Sequence, residues 1–211
     1  MVKENLELFS LPGRGRAEVI RLMLTFCNKP FTDSRLTIAQ WKLKRKQDNL
    51  GEECKLPIMR VDDKKDFIGV IEIARYIALH YGLYGSSSAE QDDVNVIIDA
   101  LEDLNAQLNP ILRATLTKNY EQRKSLWDKF KYSSLTPKLQ EYEELIQNKL
   151  FIVGSKISWA DIALIETLTR FQACYDSFFL AHFPALKDYC SRFEKLPNMK
   201  PYIQSRPEAY Y

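Results

Sequence analysis

The sequence contains few of the residues that bind metals or act as nucleophiles. Its 211 residues include only four cysteines and two histidines. The cysteines lie far apart, without the CxxC spacing of a zinc or redox site, and with only two histidines beside them we expect neither a zinc site nor a Cys–His nucleophile. We therefore expect no metal site, thiols that stay reduced, and a cytoplasmic protein.

Neither sign of charge dominates, and long apolar runs are missing. The net charge is only +2, and the sequence does not show the strongly basic domain or stripe that is typical of nucleic-acid-binding proteins. The densest basic cluster, KLKRK at residues 42–46, is short and favours a solvated helix face. No run approaches the ~20 apolar residues that span a bilayer, and the N-terminal residues show no signal-peptide pattern. We expect neither a nucleic acid nor a membrane as partner.

The N-terminal part of the chain mixes strand and helix patterns. Residues 6–10 alternate as a half-buried strand does, and a turn with Pro and Gly separates them from helical spacing after residue 16. The patterns predict further strands at residues 31–38, 55–61 and 67–70 and further helices at residues 41–47 and 71–82.

The remainder of the chain has helical periodicity only. A stretch rich in Gly and Ser at residues 82–91 predicts a linker, and we place the domains at residues 1–82 and 89–211, with the linker itself at 83–88. Pro137 is expected to kink or split the helix predicted at residues 121–146. Ser158 and Asp161 form a capping box before a nearly all-apolar helix, which predicts the core of the second domain.

Five segments, in this order along the whole chain, resemble one protein family: GRGRAEVIRLML, KLPI, IARYIALHYGLYG, SWAD and LPNMKPYIQSRP. Together they resemble a cytosolic glutathione S-transferase, and they are most similar to the sigma class of helminth transferases, prostaglandin D synthases and lens S-crystallins. The resemblance implies a thioredoxin-like α/β domain, an all-helical C-terminal domain, a homodimer, glutathione as co-substrate or ligand, and a cis bond before Pro57.

The resemblance also indicates where the chemistry should lie. Glutathione has a thiol with a pKa of ~8.5, so a hydrogen-bond donor must stabilise its thiolate. In the sigma class this donor is a tyrosine, five residues before the glycine that matches Gly15, and that position is Ser10 here. One extra residue in the loop would move the position to Phe9. Ser10 is thus either the activator of the thiol, with a shorter side chain than tyrosine, or a small polar residue at a position that has lost its tyrosine. Arg16 matches the arginine that supports the hydroxyl, or it is a structural ion-pair residue.

The contacts to glutathione that the resemblance implies are present in part. Trp41 and Arg45 match residues at the glycyl end of the tripeptide. Lys55 precedes Leu56 as in the family, where the residue before the proline pairs its backbone with the cysteinyl part. Trp41 can equally be a packing residue.

The γ-glutamyl end departs from the family. A serine that would cap the following helix and bind the γ-glutamyl carboxylate is replaced by Val70, which has no hydroxyl. Asp99 matches an aspartate that reaches the γ-glutamyl amine across the dimer, or it is a plain salt-bridge partner. Three functions remain open: weak conjugation of glutathione to a hydrophobic electrophile, noncatalytic ligand binding or a crystallin-like structural role, and a scaffold for protein interaction.

Overall fold

The computed structural model describes residues 4–207, which form two compact units. The first unit runs to Tyr81 and also includes the segment that begins at Pro197. The second unit is Gly82–Leu196. A mixed sheet with helices forms the first unit and helices form the second, so the predicted thioredoxin-like and all-helical classes are confirmed.

Within residues 4–207 the first unit contains one four-stranded sheet, in the order β2-β1-β3-β4. Its strands are β1 (Leu6–Ser10), β2 (Thr32–Arg35), β3 (Ile58–Val61) and β4 (Lys65–Ile68). β1 and β2 are parallel, whereas β3 is antiparallel to both β1 and β4. Phe9 pairs with Ile58, which pairs in turn with Ile68. The ends of β1 and β4 and the start of β3 therefore share one edge of the sheet, which we call the site edge.

Four α-helices accompany this sheet in the described residues: α1 (Glu18–Phe26), α2 (Ile38–Gln47), α3 (Val70–Tyr81) and the short C-terminal α10 (Lys200–Ser205). α1 and α3 contact each other, and α3 contacts β3 and β4. Leu8, Ile20 and Ile73 are 0% exposed in this core. Each aliphatic side chain buried in this way stabilises the fold by about 1.5–3 kcal/mol.

The second unit contains helices and no strand among its described residues. Its helices are α4 (Ser88–Gln107), α5 (Asn109–Leu116), α6 (Tyr120–Phe130), α7 (Thr136–Ile146), α8 (Trp159–Cys174) and α9 (Pro184–Glu194). α8 contacts both α4 and α9 and is buried on most of its surface, which confirms it as the core helix of this unit. No helix in the described part of the chain has the length and apolarity needed to cross a bilayer.

The structure corrects the extent of the Gly- and Ser-rich stretch, residues 82–91, at its C-terminal end. α4 begins at Ser88, so residues 88–91 are helical. The reason is a helix cap: Ser87 accepts from the backbone N–H of Glu90 at 3.2 Å, and the Glu90 carboxylate accepts from the N–H of Ser86 at 2.6 Å. A serine run that looks flexible in the sequence thus starts a helix.

Two prolines divide the long periodic stretches. The pattern continues past Leu108, but α4 ends there and α5 begins with Pro110 in its first turn, where the missing N–H costs least. Pro137 acts as predicted, because a π-helical turn, Lys131–Leu135, separates α6 from α7. In that turn the N–H of Thr136 donates to the carbonyl of Lys131.

Candidate functional site

Ser10 is the last residue of β1. Leu6, Leu8 and Ser10 lie on one face of the strand, and Ser10 is only 2% exposed. The carbonyl of Ser10 still accepts from the N–H of Leu36, at 2.8 Å. Gly13 follows at a φ of 87°, which only glycine adopts without strain, so the chain turns away from the sheet directly after the serine.

The Ser10 hydroxyl is engaged on both sides. Nη2 of Arg21 donates to Oγ at 2.5 Å, and Oγ donates to the carbonyl of Leu11 at 3.2 Å. A hydroxyl has only one proton to donate. Ser10 can therefore act as a donor to a ligand only when its proton leaves the Leu11 carbonyl.

Arg21 is a residue that the sequence analysis missed. It is 0% exposed, and it also donates to Asp33 at 3.0 Å and to Glu18 at 3.1 Å. Burial alone would lower the pKa of Arg21, but the neighbouring carboxylates of Asp33 and Glu18 raise it above its ordinary value. The side chain is therefore a buried cation in contact with Ser10. The sequence contains one sign of this role, because the charge of Arg21, between Ile20 and Leu22, interrupts an otherwise continuous apolar run.

Arg16 occupies the short 3-10 turn Gly15–Ala17, and its side chain is exposed. The structure brings Arg21 to the Ser10 hydroxyl, so the support that the resemblance assigned to Arg16 has a second candidate. A role for Arg16 beside a bound ligand stays a prediction.

Trp41 lies on α2, which begins with a capping box formed by Thr37 and Gln40. Its side chain is 9% exposed and packs with Phe9, Cys54 and Ile58, flanked by Leu56. Packing on the sheet is thus an observed role of Trp41, whereas contact with glutathione stays a prediction.

Arg45 and the segment after it form the next part of the candidate site. Nη1 of Arg45 donates to the carbonyl of Glu52 at 2.6 Å, so the arginine holds the loop that follows α2. The Leu56-Pro57 bond is cis, as predicted. Lys55 is exposed and Leu56 is half-buried.

Val70 is the first residue of α3 and lies at the same edge of the sheet. Gly69, before it, donates from its N–H to the carbonyl of Pro57 at 2.9 Å. Oε2 of Glu72 accepts from the backbone N–H of Ile68 at 3.3 Å. The start of α3 therefore already has a carboxylate beside it, where a helix N-terminus favours negative charge.

The site edge thus brings together Ser10, the Leu56-Pro57 bond and Val70, because the three strand ends meet there. Asp99 belongs to the second unit. It lies on α4, exposed and away from the buried residues Val94 and Ile98. The predicted contact of Asp99 with a partner subunit stays a prediction.

Three of the protein's four cysteines are poorly suited to thiolate chemistry. All four are free. Burial raises the pKa of Cys54, and the carboxylate of Glu53 raises it further. Burial also raises the pKa of Cys27 and Cys190. In the described residues, no three His, Cys, Asp or Glu side chains form a group that could hold a metal ion.

Comparison with known proteins agrees with this architecture. Residues 106–206 match the glutathione S-transferase C-terminal domain. The chain is 27% identical over 218 residues to probable glutathione S-transferase 5 of Caenorhabditis elegans, with 98% of each chain covered. It is 28% identical over 201 residues to the hematopoietic prostaglandin D synthase of Gallus gallus, covering 93% of this chain and 94% of the synthase.

Solved structures show the same fold over the whole chain. A monomeric glutathione S-transferase from the human hookworm Necator americanus superimposes with a TM-score of 0.80 at 25% identity, covering 98% of this chain and 100% of the hookworm protein. The motifs, the two-unit architecture and these full-length matches agree with one another. Together they support a divergent member of the glutathione S-transferase family near the sigma group.

Proposed function

We propose that this protein is a glutathione S-transferase-like protein that conjugates glutathione to a hydrophobic electrophile with low activity. The observation that carries the proposal is the site edge, where Ser10, the cis Leu56-Pro57 bond and the first turn of α3 meet. These are the positions at which the resembled family holds the thiol, the cysteinyl backbone and the γ-glutamyl group. Full-length relatives named glutathione S-transferase support the same class of activity.

Low activity follows from the state of Ser10. For conjugation at neutral pH, the pKa of the glutathione thiol must be lowered well below its ordinary value of ~8.5, because the thiolate is the reactive form. The Ser10 proton is directed to the Leu11 carbonyl, so the hydroxyl must exchange that acceptor for the sulfur. A serine is also shorter than the tyrosine of the sigma class, so the sulfur must approach Ser10 more closely to accept its hydrogen bond.

Weak binding follows from the start of α3. Val70 offers no hydroxyl to the γ-glutamyl carboxylate, and Glu72 places its own negative charge beside Ile68. A lost charge-assisted hydrogen bond costs about 1.5–3 kcal/mol, which corresponds to roughly ten- to a hundredfold in affinity. Trp41, Arg45 and the backbone of Leu56 would carry the remaining binding, with Lys55 beside them.

Noncatalytic binding of a hydrophobic ligand is the alternative, and one observation in the second unit favours it. A cavity of about 380 Å³ lies along α7, with Leu135, Phe179 and Phe183 in its wall and Glu144 and His182 among its polar residues. Its volume falls within the range of about 300–1,000 Å³ that is typical of small-molecule sites.

We further propose that the protein is a cytoplasmic homodimer, in which Asp99 reaches the partner's glutathione site. The four free cysteines fit a reducing compartment. The hookworm relative is described as monomeric, so sedimentation velocity of the purified protein, with and without glutathione, is the direct test of the dimer.

One pair of measurements tests the proposed function. Titration calorimetry with glutathione and a conjugation assay with a chlorinated nitrobenzene should give measurable binding and slow turnover. Ser10→Ala should lower turnover, whereas Ser34→Ala, which removes a hydroxyl that donates to Glu7 on the neighbouring strands, should not. No heat and no turnover, together with binding of a hydrophobic dye, would favour the noncatalytic alternative instead.

A further inference from the structure

A buried network of polar side chains links the Ser10 hydroxyl to the C-terminal segment of the same unit. Arg21 contacts Ser10 at one end, and its Nη1 donates to Glu18 at 3.1 Å. Glu18 also accepts from the phenol of Tyr202 at 3.0 Å and from Nη1 of Arg206 at 3.4 Å. Both Glu18 and Arg21 are 0% exposed. We call Ser10, Arg21, Glu18 and Tyr202 the Arg21 network.

The guanidinium of Arg21 is fixed from several directions. Nε donates to Asp33 at 3.0 Å, Nη1 donates to the carbonyl of Arg14 at 3.1 Å as well as to Glu18, and Nη2 donates to Ser10. Four of its five N–H groups are therefore used. A planar donor held in this way cannot turn without leaving a buried charge unpaired, which is costly.

This arrangement decides what the Ser10 hydroxyl can do. Because Oγ accepts from Arg21, its proton must point away from the guanidinium. Oγ donates this proton to the Leu11 carbonyl, and the two oxygen atoms are 3.2 Å apart. This distance is long for an O–H···O hydrogen bond, which is normally about 2.7–2.8 Å. A negatively charged acceptor beside Ser10 would make a stronger bond and would displace that contact.

We propose that Arg21 is a positioning residue, which fixes Ser10 as a hydrogen-bond donor to the sulfur of a bound thiol, and that Tyr202 holds Arg21 in place through Glu18. The part of this inference that concerns the sulfur rests on the proposed function. The part that concerns Tyr202 rests on contacts within the first unit alone. The Arg21 network therefore makes the C-terminal segment a part of the candidate active site, although its residues do not touch the substrate.

Tyr202→Phe is the variant that tests the network most gently. It removes only the phenol oxygen and keeps the ring, whereas a change of Arg21 would remove a buried cation that contacts Glu18, Asp33 and Ser10 together. Tyr81→Phe is the matched control, because the Tyr81 phenol also donates to a carboxylate of the same unit, Glu4, at 2.6 Å, outside the Arg21 network.

The pH dependence of kcat/KM for glutathione conjugation separates positioning from mere stabilisation. We expect Tyr202→Phe to move the thiol ionisation to higher pH and to lower kcat/KM near pH 7 roughly threefold or more, as half a pKa unit would, with KM for glutathione nearly unchanged. Tyr81→Phe should leave the profile as it is. In the Ser10→Ala background, Tyr202→Phe should have no further effect. The proposal would be overturned if the pH profile of Tyr202→Phe matched that of Tyr81→Phe. It would also be overturned if Tyr202→Phe lowered kcat/KM equally in the Ser10→Ala background.

Amide hydrogen exchange in the absence of glutathione tests the same network independently. The loop of residues 11–17 should exchange several-fold faster in Tyr202→Phe than in Tyr81→Phe, because Arg21 holds the Arg14 carbonyl of that loop. Unchanged exchange would refute the role of Tyr202. If the natural protein neither binds glutathione in calorimetry nor turns it over in the assay, the proposed function fails, and the proposed contact between Ser10 and the sulfur fails with it. The exchange rates still decide whether Tyr202 holds Arg21.

Discussion

Replacement of Asp161 by alanine should destabilise the second unit far more than the loss of an ordinary helix cap. Its carboxylate lies at the start of α8 and accepts from the N–H of Ile152 at 2.8 Å, from the N–H of Ser158 at 2.7 Å and from Oγ of Ser158 at 2.5 Å. The phenol of Tyr189 also donates to it. One side chain thus joins the start of α8, the preceding loop and α9.

The size of the effect follows from burial. Asp161 is 0% exposed, Ser158 is 2% exposed and Tyr189 is 3% exposed, so water cannot readily replace the lost acceptor. A buried donor left without a partner costs about 1–3 kcal/mol, and an exposed cap alone contributes about 1 kcal/mol. Since some of the four donors will find other acceptors, we expect a loss of about 4 kcal/mol in the free energy of unfolding.

Urea unfolding followed by circular dichroism measures this loss. Asn119→Ala is the matched control, because Asn119 caps α6 in the same unit, through an exposed hydrogen bond to the N–H of Gln122 at 3.1 Å. Asn119→Ala should cost about 1 kcal/mol, and Tyr189→Phe, which removes one donor, a similar amount. If Asp161→Ala costs no more than Asn119→Ala, the reasoning from buried donors is wrong.

Three further predictions concern the first unit and the proposed dimer. Val70→Ser should raise the affinity for glutathione about tenfold by restoring a hydroxyl at the start of α3, with calorimetry of Val70→Ala as the control. Asp99→Ala should weaken glutathione binding only if the protein sediments as a dimer, and an unchanged dissociation constant in a dimer would exclude the proposed contact. Burial alone would raise the pKa of Asp48, but hydrogen bonds from Lys44 and Arg60 hold the pKa below its ordinary value. Its stabilisation is therefore present at neutral pH and is lost on acidification, and Arg60→Met should reduce this acid-dependent loss in urea unfolding at graded pH.

Local pattern was sufficient to predict most of the fold. The alternation at β1, the capping box at Ser158 and the nearly all-apolar surface of α8 depend on neighbours within a few residues, which a single sequence displays directly. Pro137 was read correctly for the same reason. The Gly- and Ser-rich stretch of residues 82–91 runs into α4, because serine and glycine favour both flexible segments and helix caps, and only the structure shows that Ser87 caps α4 through Glu90.

The candidate site was predicted less completely, because its decisive contacts join distant parts of the chain. The position of Ser10 at the end of β1 follows from strand parity and the turn after it. The hydrogen-bonding state of Ser10 does not, because it is set by Arg21 and by the backbone carbonyl of Leu11. The arginine that follows from motif spacing is Arg16, whereas the arginine in contact with the hydroxyl lies one turn into α1.

The exchange of a phenol for a serine therefore cannot be judged from residue type alone. A tyrosine brings a donor that reaches the sulfur by its own length, whereas Ser10 depends on the groups that orient it. Arg21 supplies that orientation, and it is itself held by Glu18, whose partner Tyr202 lies 184 residues further along the chain. The proposed activity should accordingly be sensitive to changes at Tyr202 in the C-terminal segment. In a relative that keeps the tyrosine, we expect the same changes to affect stability more than chemistry, because its donor does not need the network to face the thiol.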